Sequence, residues 1–115
     1  MSALTVSFSC HLAFVFRELI PVLGEHIKDN SGEILPHIIM SEYCRFSLRF
    51  GPGCEWVEKL FSYMESEYSE EDNDISELVA VSFIEIIPYI ASEPHWSVKL
   101  LGPKMLKQYN NIYGL

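Results

Sequence analysis

Between Lys59 and Lys99 the sequence contains no lysine or arginine at all. The whole chain of 115 residues has eight cationic residues against sixteen aspartates and glutamates, a net charge of −8. Binding to nucleic acid needs clustered cations that displace counterions from phosphate, so that partner class is excluded and a basic partner suits the chain better. Cysteine is scarce and unpatterned. Cys10, Cys44 and Cys54 are odd in number and show no Cys-x-x-Cys spacing, which argues against a disulfide framework or a zinc site and for reduced, mostly buried thiols. The glycines are scattered rather than gathered into a phosphate-cradling loop, and "GPG" at 51–53 reads as a turn. There are no internal repeats and no low-complexity linker. This length allows one domain with a real core and is too short for two.

Charge is also missing at the start, where "MSALTVSFSCHLAFVF" runs 16 residues before Arg17. The stretch lacks the basic opening and the A-x-A site of a signal peptide. It is also shorter than the roughly 20 apolar residues that span a bilayer. A soluble, cytoplasmic protein without a membrane partner is expected.

What is present is helical periodicity. Phe8, Leu12, Val15, Phe16, Leu19 and Leu23 share one face of a helix, which Pro21 and Gly24 should kink or end. Asn30 with Glu33 is one candidate start for the next helix, and Pro36 at a first-turn position is another. Leu35, Ile39, Tyr43, Phe46 and Phe50 supply its stripe, closed by the glycines at 51 and 53. A third helix carries Trp56, Leu60, Phe61 and Met64. Asp74 and Glu77 read as a capping pair for "ISELVAVSFIEIIPYI", which is β-branched and partly alternating. Its length of about 15 residues favours a central helix over a strand, ended by Pro88. A short helix, a break at Gly102 and a last helix opening with Pro103 complete an all-α, single-domain bundle of five or six helices over 1–115. Met105, Leu106, Tyr109 and Ile112 form the inward face of the last helix.

Four histidines offer little chemistry. Only Glu33 and His37 have the i, i+4 spacing of two ligands on one helix face, and two ligands do not make a metal site. His11, flanked by apolar residues, reads as a core or cap histidine. No Ser or Cys is paired with a His in a nucleophile motif, so neither a catalytic residue nor a cofactor is assigned.

The acidic run "YMESEYSEEDNDISEL" at 63–78 is the remaining feature, with seven acids between Glu65 and Glu77. Such a run is often a solvated loop. Here it lies between two strong helices and is interleaved with Tyr63 and Tyr68, and tyrosine is a common interface anchor. The charge is one-sided, with Lys99, Lys104 and Lys107 gathered near the C-terminus. The candidate partner-binding residues are Tyr63, Glu67, Tyr68, Glu70, Glu71, Asp72, Asp74 and Glu77. Arg45, Arg49 and the exposed side of the 36–50 helix are the next candidates.

On "EILPHIIMSEYCRF" at 33–46 and "VKLLGPKMLKQY" at 98–109, together with the acidic stretch, the chain resembles the small, acidic, all-helical immunity proteins of bacterial polymorphic-toxin and contact-dependent inhibition systems. The likeness covers loosely residues 30–110. It implies a role rather than residues: tight binding of a cognate toxin, often a nuclease, whose active site is blocked. A helical adaptor for a partner helix and a small hydrolase with an acidic site are the rival readings.

Overall fold

In a computed structural model, which describes residues 3–71 and 73–115, the described residues form six α-helices and no strand. The helices are α1 (Ala3–Val15), α2 (Ile20–Asp29), α3 (Pro36–Leu48), α4 (Glu55–Glu67), α5 (Asp74–Ser82) and α6 (Pro103–Tyr113). One all-α domain results. Short 3₁₀ turns lie in two of the connections, Arg17–Leu19 between α1 and α2, and Ile84–Ile86 and Trp96–Leu100 between α5 and α6.

The first break falls at Phe16, not at Pro21. A continuous helix would drive the Pro21 ring into the carbonyl of residue 17. Restarting at Ile20 puts Pro21 in the first turn of α2, where its missing N–H costs nothing. Gly24 then lies inside α2 rather than ending it. The two axes meet at 113°, and among the described residues no single helix is long and apolar enough to cross a membrane.

Asn30 closes α2 instead of opening α3. Its backbone and side-chain nitrogens both donate to the His26 carbonyl, at 3.1 and 2.8 Å. Ser31 and Gly32 follow with φ of 55° and 86°, a left-handed reversal that Gly32 adopts without strain. Helix α3 therefore starts at Pro36, and Glu33, lying before it, shares no helix face with His37. After α3, Gly51 and Gly53 make the turn with φ of 76° and 86°.

Helix α5 is shorter than its apolar run. Pro88 cannot donate to the carbonyl of Ile84 and restricts Ile87, which is extended at ψ 123°. The chain tightens first, with Ile86 and Ile87 donating to the carbonyls of Phe83 and Ile84. The apolar pattern still has its expected consequence, because α5 packs against α1, α3 and α4 at the centre of the bundle. Leu12, Leu19, Ile39, Tyr43, Leu60, Phe61, Met64, Leu78, Phe83 and Met105 are fully buried in one core. His11 is exposed, so the buried histidine is His26 instead. Cys10, Cys44 and Cys54 are free thiols, with Cys44 buried and the others half-buried.

Candidate functional site

The acidic run is folded into a defined corner between α4 and α5. Asn73, one residue before the expected cap, accepts from the Ser76 amide at 2.9 Å, and Ser76 Oγ accepts from the Ser69 amide at 2.9 Å. The Glu71 amide donates to Ser69 Oγ at 3.0 Å. Asn73 rather than Asp74 is the cap because its side chain, not that of Asp74, reaches the N–H three residues on. Asp74 and Glu77 are left in the first turn, where carboxylates suit the positive end of the helix.

The C-terminal lysines, separate in sequence, return to this corner. Glu65 takes both exposed amides at the start of α6: Oε2 accepts from Lys104 N–H at 3.0 Å and Oε1 from Met105 N–H at 2.9 Å. Lys104 Nζ donates to the Tyr68 carbonyl at 2.6 Å, and Lys107 Nζ reaches Glu70 at 3.4 Å. The run is thereby divided. Glu65 and Glu70 face α6 and its cations, whereas Glu67, Glu71, Asp74 and Glu77 are exposed, and among the described residues no lysine or arginine forms an ion pair with them.

Glu67, Asp74 and Glu77 border two grooves on either side of the first turn of α5. The first, of 460 Å³, runs between α1, α4 and α5 and is lined by Leu4, Phe8, His11, Tyr63, Glu67 and Ile75. Tyr63 is half-buried there, edge-on to Phe16 with ring centres 5.7 Å apart. Burial raises its phenol above the ordinary value, and the charge of Glu67 and a hydrogen bond to it push the same way. The second groove, of 480 Å³, lies between α3 and α5, with Leu35, Pro36, His37 and Ile38 opposite Asp74 and Glu77. His37 Nδ1 sits 2.6 Å from Ser82 Oγ, tying α3 to α5. Ser82 is buried and does not line the groove, so this pair presents no nucleophile to it.

The eight residues singled out from sequence thus divide. Tyr63 and Glu67 meet in the first groove, Asp74 and Glu77 in the second, and Glu71 stands on the loop between them. Tyr68 differs from the others: the residue is 7% exposed and packs into the core, and burial raises its phenol first, ahead of the charges of Glu70 and Glu65. Glu70 is engaged by Lys107, and Asp72 lies outside the described residues. The opposite wall of the second groove, Leu35 to Ile38, had only indirect sequence signals: Leu35 in the apolar stripe, Pro36 as a helix start, and His37 and Ile38 on the exposed side of the 36–50 helix, which ranked behind the acidic run. The fallback candidates Arg45 and Arg49 line a cleft of 360 Å³ with Glu25, Asp29 and Glu42, a surface of mixed sign.

Residues 9–114 match the domain of unknown function DUF7674, and the chain belongs to that family. Neither a curated protein nor a solved structure matches it.

Proposed function

We propose that this member of the DUF7674 family is a non-enzymatic binding protein of the immunity type, which engages a basic domain, the cognate toxin of the resembled systems, through the α4–α5 corner. One observation supports this above the others. Glu67, Glu71, Asp74 and Glu77 are four exposed carboxylates on one hydrogen-bonded corner, none in an ion pair with lysine or arginine among the described residues, and all but Glu71 line two apolar-walled grooves. A loop whose only task was solubility would need neither the grooves nor the ordered frame. Carboxylates held in this way stand in for the phosphates that a nuclease binds, and they steer a cationic partner at long range.

The test takes the C-terminal domain of any large secreted protein encoded by a neighbouring gene and co-expresses it with the chain, scored by growth protection and by association kinetics. Glu67→Lys with Glu71→Lys avoids the cap at Asn73 and the first turn of α5. The double variant is expected to melt no lower than the parent and to associate about tenfold more slowly at low salt. Unchanged association and protection would reduce the corner to a solvated loop.

A second reading, an adaptor for a partner helix, is favoured by the exposed apolar residues Leu4 and Phe14 on α1, which are 58% and 79% exposed. Binding of that kind would be nearly indifferent to salt.

A further inference from the structure

The groove between α3 and α5 has two unlike walls. Pro36 and Ile38, the latter 50% exposed, form an apolar side, and Asp74 and Glu77 form an anionic side. We infer that this groove seats an arginine side chain of the partner, its aliphatic stem against Pro36 and Ile38 and its guanidinium on the two carboxylates. The inference rests on the reading of this corner as the partner face, and specifies the group recognised there.

The charge, chemistry and shape of the groove select arginine. Asp74 and Glu77 are three residues apart on α5 and so lie on one helix face, within reach of a single planar fork. The half-unit of positive charge at a helix start opposes a cation, but two full negative charges outweigh it. An ammonium ion would give up a tighter hydration shell on entering a partly apolar groove than a guanidinium does. The walls are also held in place before binding: the 2.6 Å contact of His37 with Ser82 fixes one, and Asn73 caps the other. The volume of 480 Å³ falls within the range of about 300–1,000 Å³ typical of sites that enclose small ligands.

The test uses the full chain, labelled with ¹⁵N and titrated with the peptide acetyl-Leu-Arg-Leu-amide and with its citrulline counterpart, which keeps the shape and loses the charge. The arginine peptide is expected to shift the amide signals of His37, Ile38, Asp74 and Glu77 saturably. Citrulline, or Glu77→Gln in the protein, should weaken this by about fivefold. Equal response to both peptides, or shifts spread over unrelated acids such as Glu25 and Glu93, would overturn the assignment. A silent groove combined with slowed toxin association in the Glu67→Lys, Glu71→Lys variant would remove the arginine seat and leave the acidic partner face standing. Failure of both would remove the two together.

Discussion

The imidazole of His26 is buried between α2 and α3, with Nδ1 3.0 Å from Glu42 Oε1 and Nε2 3.0 Å from the Leu35 amide. An amide can only donate, so Nε2 must accept and the ring proton belongs on Nδ1, facing the carboxylate. One side chain thereby joins the end of α2, the connecting loop and the middle of α3. The expected outcome is that nitrogen NMR finds His26 in the Nδ1–H form, and an Nε2–H ring would contradict the network. His26→Ala should cost about 1–3 kcal/mol in urea unfolding, because the Leu35 amide and Glu42 both lose their partner. A change within error would mean that water replaces the ring at no cost.

At the scale of the element, α6 has no cap of its own. Its N-cap is Gly102, which has no side chain, and Glu65 on α4 supplies the missing acceptors. A β-carbon on Gly102 would lie 2.8 Å from Glu65 Oε1 and nearer still to its Cγ and Cδ, so a side chain here would push Glu65 away from the amides that it caps. Glu65→Ala should destabilise by about 1–3 kcal/mol, and Gly102→Ala should also destabilise. Combined, they should cost less than their sum, because removing the carboxylate removes the clash. Additive costs in thermal or urea unfolding would show that the two residues do not meet. This pair also marks how far the sequence could be read. Pro36 and Pro103 were legible as helix starts because proline acts on its own turn. Glu65 as a cap was not, because its amides lie 39 and 40 residues away. The break at Phe16, the cap at Asn73 and the shortened α5 were missed by a few residues, since each depends on a local competition that periodicity does not resolve. For the site, the acids and Tyr63 were legible as an unusual composition. Only packing could place Tyr68 in the core or set His37 and Ile38 across from Asp74.

For the molecule as a whole, the question is whether the charge of −8 is spread or concentrated. Lys104 and Lys107 fold back on Tyr68 and Glu70, and Lys59 pairs with Glu55, so part of the negative charge is answered locally. Glu67, Glu71, Asp74 and Glu77 are not, and they crowd one corner. Like charges at such spacing repel in the folded state more than in the expanded chain, and they are exposed enough for salt to screen. Raising sodium chloride from 10 to about 200 mM shortens the Debye length from roughly 30 to below 10 Å, so the melting temperature should rise. A gain of about 1 kcal/mol corresponds to roughly 4 °C or somewhat more in a domain near this size. The Glu67→Lys, Glu71→Lys variant relieves the same repulsion by covalent means. It should melt higher than the parent at 10 mM salt and gain less from added salt, the two curves converging as screening takes over. Equal salt response in both proteins would show that the corner holds no surplus field, and its carboxylates could not then steer a basic partner from beyond contact distance.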